Sequence, residues 1–281
     1  MQISLLGPFE IVTDDNRTFA PNAPKLCQIL TVTALQPREA VATGTLIREL
    51  WGEDAPAAAT RTLQTHVYHA RRMLSDMRVT APGRQLLATQ APGYRIDVKD
   101  EEVDASRFER FVQRAQRKLA EGELHRAADD LKQAMSLWRG PVFSNVPAGD
   151  VLVGEAARLE ELKIRALELR AETELRLGRH REFLPELRSL VNSHPLHEWL
   201  HGQLITALHR AGRRAEALQA YQNLYRILKR ELGLAPSVEL QRLQAQILSA
   251  AGPEAPLPLR LRIDHRPGAV PAPVPTTAVA S

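Results

Sequence analysis

The stretch LHRAGRRAEALQAY at residues 208–221 loosely repeats LRLGRHREFLPEL at 175–187, with Gly212 and Gly178 placed 34 residues apart. Self-similarity at a fixed period of this length constrains a fold more than any single motif, because each period must be one supersecondary unit. LAEGELHRAADDL at 119–131 echoes both stretches, but its Gly122 lies 56 residues before Gly178, an excess of 22 over the period. The Gly/Pro-rich RGPVFSNVPAGDVLVG (139–154), together with a lengthened helix through EAARLEELKIRALELRAETEL, roughly absorbs that excess. One helix pair cannot bury its apolar face alone, so consecutive pairs are expected to stack into an array with a groove.

A period of 34 residues is that of tetratricopeptide repeats, and from Asp104 onward the chain reads as helix after helix. The first hundred residues read differently. QISLLG and FEIV are strand-like runs broken by Gly7-Pro8 and by Asp14-Asp15-Asn16, which predicts two or three short strands between 2 and 19. A first helix follows from Pro24 through Leu26, Ile29, Leu30 and Thr33, ending before Pro37. A second is expected to start at a Thr43 cap and run through Leu46, Ile47, Leu50 and Trp51 to Gly52. A third covers RTLQTHVYHARRML (61–74), and RQLLATQAPGYRIDV then gives a hairpin turning at Gln90-Ala91-Pro92-Gly93. Strands, three helices and a hairpin are the order of a winged helix, whose third helix faces a DNA groove. The expected fold is therefore an α+β N-terminal winged helix followed by an all-α tetratricopeptide-like helical array.

On a helical wheel the third helix gathers Leu63, Val67, Ala70 and Leu74 into one narrow stripe and Arg61, Thr65, Tyr68, His69 and Arg72 onto the opposite face. That face is cationic and hydrogen-bonding, without the Glu/Lys mixture of an ordinary solvated helix, and it suits an anionic partner. The case for nucleic acid rests on this local pattern, because 37 Lys+Arg against 33 Asp+Glu leave the whole chain at only +4. Between 59 and 78, Arg61, Arg71, Arg72 and Arg78 stand against Asp76 alone, with His66 and His69 as further donors.

Several classes are disfavoured. A single cysteine, Cys27, allows neither an internal disulfide nor a cysteine-based zinc cluster and fits a reducing cytoplasm. No run of about 18 apolar residues and no basic leader at MQISLLGPFE point to a membrane or to export. None of the six lysines precedes Ser or Thr, so a phosphate-binding G-x-x-x-x-G-K-[ST] loop is absent. HEWLH (197–201) fits the zinc-peptidase pattern H-E-x-x-H. Its setting, with Pro195 at a helix start and Leu196, Leu200 and Leu204 packing inward, reads instead as the first helix of a repeat. The last 30 residues carry seven of the 19 prolines, in PEAPLPL and PGAVPAPVP, and 251–281 are expected to be a disordered tail.

The separated motifs LIRELWGEDAP, LQTHVYHARRML, APGYRIDV, EVDASRFERFV, ALELRAETELRLGRH and ELGLAPSVELQRLQAQIL together resemble the Streptomyces antibiotic regulatory proteins in their small two-domain form, over about residues 1–250. Two departures are Ala70, where the family usually has leucine, and Lys25-Leu26-Cys27 in place of a lysine-x-arginine entry to the first helix. The resemblance implies an OmpR-like winged-helix domain at 1–99 and a bacterial transcriptional activation domain at 104–250. It implies an activator of a secondary-metabolite gene cluster, cytoplasmic and nucleoid-associated, and not an enzyme. Its partners would be tandem direct repeats in double-stranded promoter DNA, RNA polymerase holoenzyme and a second copy on the DNA, with no membrane, cofactor or metal. By resemblance and wheel alike, Thr62, Thr65, His69 and Arg72 are expected nearest base edges, where arginine can bridge guanine and threonine offers a methyl to thymine. Arg61 and Arg71 are the phosphate candidates. Tyr68 is expected at sugar-phosphate or at the domain boundary. In the hairpin, Gln90 and Arg95 reach the minor groove or its phosphates, or else are a turn residue and a side chain lying over the core. Glu53 and Asp54, between the second and third helices, are the polymerase-contact candidates; Asp54 is alternatively a helix-start residue. The competing reading is a tetratricopeptide-type protein-interaction scaffold.

Overall fold

A computed structural model describes residues 1–77 and 85–249, so Arg78 and the expected tail at 251–281 lie outside the described residues. The chain divides into two compact units, Met1–Leu187 and Arg188 onward.

The first unit opens with an antiparallel sheet of β1 (Gln2–Ser4), β2 (Glu10–Val12) and β3 (Thr18–Phe19). Helices α1 (Pro24–Leu35), α2 (Thr43–Trp51) and α3 (Ala59–Asp76) follow. A second sheet, in the order β4-β6-β5, joins Val41–Ala42 (β4), Leu87–Gln90 (β5) and Gly93–Ile96 (β6). This is the winged helix read from the sequence, with β4 as an unforeseen third strand on the hairpin. The cap of α2 also differs from expectation. Ala42 occupies the cap position, and the Thr43 hydroxyl instead donates to the Pro92 carbonyl at 3.2 Å, tying α2 to the wing turn. Helix α1 is enclosed on all sides, with every residue from Leu26 to Ala34 buried. Its Thr33 hydroxyl is satisfied by the Ile29 carbonyl at 2.8 Å, as a buried polar group requires.

After a short 3-10 turn, the helical array begins with α4 (Asp104–Ala120), α5 (Leu124–Ser136), α6 (Asp150–Arg176) and α7 (His180–Ser193). The second unit holds the end of α7 with α8 (Glu198–Arg210), α9 (Arg214–Leu232) and α10 (Val238–Ser249). The sequence repeat has a physical cause in its glycines. Gly122, Gly178 and Gly212 adopt φ of 80°, 77° and 79°, and after each the next amide reaches back to a carbonyl five residues earlier. Glu123 reaches Lys118 at 2.8 Å, Arg179 reaches Glu174 at 3.0 Å and Arg213 reaches Leu208 at 2.9 Å. These are three copies of one Schellman stop, a backbone shape that favours glycine and turns the chain from one helix of a pair into the next.

Of the 139–154 excess over the repeat, residues 139–149 form a strap against the N-terminal strands and their connecting turn, and residues 150–154 open α6. The Arg139 amide donates to the Leu6 carbonyl at 2.7 Å, the Asn145 amide group exchanges hydrogen bonds with the backbone of Phe9, and Arg139 pairs with Glu10 at 2.5 Å. Buried Asp104 at the start of α4 accepts from the Leu5 and Leu6 amides at 2.7 and 3.1 Å. Burial pushes its carboxyl above the usual range. Buried Glu49 of α2 accepts from the amides of Gly149, Val151 and Leu152 at 2.6, 2.9 and 3.2 Å, capping the N-terminus of α6. Glycine at 149 permits the approach, since a Cβ there would lie 2.3 Å from the Glu49 carbonyl oxygen. One apolar cluster accordingly runs from Ile3 through Leu63 and Phe108 to Leu169. The winged helix and the first helices of the array share a single core.

Candidate nucleic-acid interface

Helix α3 is preceded by Pro56, whose carbonyl accepts the Ala59 amide at 2.8 Å, and it runs 18 residues without an internal glycine or proline. Leu63, Val67, Ala70 and Leu74 are all buried, the stripe that the wheel selects. Burying each of the larger three contributes about 1.5–3 kcal/mol, which fixes the helix's rotation and hence what its other face presents. Ala70 is fully enclosed, so the smaller residue is accommodated.

On the outward face Arg61, Thr65, Tyr68, His69 and Arg72 are exposed and Thr62 is half-buried. Tyr68, 60% exposed, packs edge-on against His69 with ring centroids 5.5 Å apart, so it stands in solvent rather than at an internal boundary. The hydroxyls of Thr62 and Thr65 donate to the carbonyls of Ala58 and Arg61, each at 3.2 Å, which leaves their oxygen lone pairs available as acceptors. Arg72 lies 3.7 Å from Asp76, both well exposed, a pairing weak enough to yield to a stronger anion.

His66 does not belong to this face. It is half-buried 6.1 Å from Trp51, and burial, then His69 and Lys25, hold its imidazole below the usual histidine range. Lys25 in turn donates to the Leu50 carbonyl at the end of α2 and sits over the Trp51 ring.

Arg71 has a different setting from Arg61 and Arg72. Its Nε donates to the Leu87 carbonyl and its Nη2 to the Thr89 hydroxyl, both at 2.8 Å, binding α3 to strand β5. Its position, four residues after Val67 and three before Leu74, places it on the flank of the buried stripe, and that spacing was the available signal. In the wing, Gln90 pairs with Gly93 across the turn and is exposed. Arg95 is half-buried, 3.9 Å from Asp97, with its Nε buried. Glu53 and Asp54 are exposed in the loop between α2 and α3. The cap of α3 is Ala58, so Asp54 is not its helix-start residue.

The HEWLH residues are occupied structurally. His197 is the cap of α8, which starts at Glu198 rather than near Pro195, and Leu196 is consequently exposed instead of packing inward. The Glu198 carboxylate accepts the Ser237 amide at 2.6 Å, and buried His201 places Nε2 3.1 Å from the Pro195 carbonyl. Among the described residues no three His, Cys, Asp or Glu gather where they could hold a metal ion. No helix of the described residues is long and apolar enough to cross a membrane.

Residues 20–96 match the family described as transcriptional regulatory protein, C terminal, and residues 103–248 match the bacterial transcriptional activator domain. Over 265 residues the chain is 41% identical to the regulatory protein DnrI of Streptomyces peucetius, covering 91% of this chain and 97% of DnrI. The chain belongs to the Streptomyces antibiotic regulatory protein family. The chain is also 34% identical to the regulatory protein AfsR of Streptomyces coelicolor over 89% of its length, although it spans only 24% of AfsR. Among solved structures it matches Mycobacterium tuberculosis EmbR in complex with a low affinity phosphopeptide, with a TM-score of 0.79, 31% identity, and coverage of 88% of this chain and 64% of that one. Like these relatives it is a transcriptional regulator with an OmpR-like winged helix, and not an enzyme.

Proposed function

We propose that this regulator binds tandem direct repeats in promoter DNA through α3 and the wing and activates a secondary-metabolite gene cluster by recruiting RNA polymerase. The observation that carries the reading is the outward face of α3, where Arg61, Thr62, Thr65, Tyr68, His69 and Arg72 stand opposite the fully buried stripe with one carboxylate, Asp76, at the far end. Thr62, Thr65, His69 and Arg72 read base edges, and Arg61 neutralises a phosphate. Gln90 and Arg95 lie on the wing that follows the backbone beside it. Arg71 serves the same interface by holding the wing to α3 through Leu87 and Thr89. Exposed Glu53 and Asp54 offer carboxylates to a basic surface of the polymerase. The division of labour assigns reading to 1–99 and activation to 104–250, a reading supported by the family matches at 20–96 and 103–248.

One recognition helix covers few base pairs, so discrimination against a genome calls for a second copy on the same DNA face, with half-sites about 10–11 bp apart or a multiple. The test is binding to operators whose repeat spacing is altered by about 5 bp, half a helical turn. Cooperative binding should collapse at the altered spacing and return at a full turn. Retention that ignores both spacing and salt would leave the protein-interaction scaffold as the better account.

A further inference from the structure

Within the second unit the end of α7, α8 and α9 enclose a cavity of about 490 Å³ that the DNA-binding reading leaves unused. One wall is Arg188, Val191 and Asn192, at helical spacing on α7; the other is a stripe of α9 from Glu216 through Gln219, Asn223 and Ile227 to Arg230. The floor is buried Leu204 and His201, whose imidazole is kept below its usual range by burial. Apolar patches at Val191, Leu204 and Ile227 between walls that carry several polar and charged groups, in this range of volume, suit a small molecule with both an apolar and a polar part.

The charge of the rim is one-sided. Three arginines, Arg188, Arg226 and Arg230, stand against Glu216. The Glu216 carboxylate is already held by Arg213 at 2.6 Å and by Arg188 at 2.8 Å, at one end of the groove. At the other end Arg226 and Arg230 lie one turn apart on α9, a like-charge spacing that is unfavourable in an empty groove. Among the described residues Arg226 bonds only neutral partners, the Gln222 carbonyl and the Asn223 side chain, while Arg230 leans away on Glu231 at 2.7 Å. An anion between the two guanidiniums would relieve their repulsion, and an apolar body attached to it would cover Val191, Leu204 and Ile227.

We propose that this groove binds a small amphipathic organic anion, its acidic group held by Arg226 and Arg230 and its apolar body lying over Leu204 and His201. The site is independent of the DNA-reading face and is testable without DNA. Full-length protein is titrated with 8-anilinonaphthalene-1-sulfonate, followed by its fluorescence, and the probe is then displaced by decanoate or by uncharged decanol. One probe site per chain is expected, with decanoate competing and decanol competing about tenfold less well, the scale of two partly exposed charge contacts. The Arg226→Gln/Arg230→Gln variant should bind the probe about tenfold more weakly with an unchanged melting curve, since both side chains are exposed. Arg210→Gln/Lys229→Gln, with the same change in charge on exposed residues outside the cavity lining, should bind as wild type. Equal competition by decanol, wild-type affinity in the first variant, or an equal loss in the second would each overturn the proposal.

Discussion

Replacing Glu49 with alanine removes a buried carboxylate that joins α2 to the start of α6. Its carboxylate is buried and accepts three backbone amides, and those amides are the donors that a helix N-terminus leaves without partners. Hydrogen bonds to a charged acceptor contribute about 1.5–3 kcal/mol each, and a partly buried charge at a helix N-terminus adds up to about 2 kcal/mol. These contributions overlap, because one carboxylate makes them all and its own desolvation opposes them. Leaving those amides without an acceptor costs about 1–3 kcal/mol each where they are buried, and because two of the three contacts are only partly buried, a total of roughly 3–5 kcal/mol is the better guide. For a unit of nearly 190 residues that corresponds to a fall in Tm of roughly 6–20 °C. Glu49→Gln keeps the shape and one acceptor but turns an NH2 toward an amide, and should cost about half as much. Gly149→Ala attacks the same contact from the other side, with a Cβ forced to within 2.9 Å of the carboxylate. Urea unfolding followed at 222 nm measures each variant, and the double variant should fall well short of additivity because both changes break one interaction. A Glu49→Ala protein within about 0.5 kcal/mol of wild type, the range of an ordinary surface substitution, would refute the capping role.

Arg71→Ala is expected to weaken DNA binding without changing its salt slope, because two of its nitrogens hold the wing, whereas Arg61→Ala should reduce the slope by roughly 0.9, one phosphate's worth; anisotropy titrations over a salt series separate the two. A fragment ending at Val98 should lose cooperative unfolding, since Phe108 and the partners of Leu5, Leu6 and Glu49 all lie beyond it, while a fragment ending at Leu187 should melt cooperatively. Asp130 is buried beside Arg114 and Lys118, the latter at 2.7 Å; burial alone would raise its carboxyl, but the two cations outweigh it and hold the pKa below 3.8. A depressed folded pKa stabilises fully above the unfolded value and is lost as pH falls through the folded one. Asp130→Asn should therefore cost about 1.5–3 kcal/mol near neutrality, since Arg114 and Lys118 keep partial access to solvent, and its deficit against wild type should shrink in denaturation series run below about pH 4.

The third helix was legible because its evidence is periodic. Four apolar residues at 3.6-residue spacing decide which way the helix faces, and the structure buries all four. The repeat was legible for a similar reason, since one backbone shape demanding glycine recurs at each turn between paired helices. Contacts between distant segments carry no such local mark. Nothing about Glu49 in a helix reading LIRELW announces an acceptor for three amides 100 residues away, and its neighbours make it look like an ordinary exposed acid. The strap at 139–149 was visible only as part of an excess over a period, which says that residues are present without saying where they go. The same limit produced the reading of Leu196 as inward-facing. Proline commonly opens a helix, but here the buried His201 ring occupies the Pro195 carbonyl and α8 begins three residues later. Periodicity thus specifies the outward face of α3, while the carboxylates at positions 49 and 104 tie the winged helix to the helical array through partners that only the folded chain brings near. Substitutions at those two positions should accordingly alter DNA recognition without touching any residue that meets DNA.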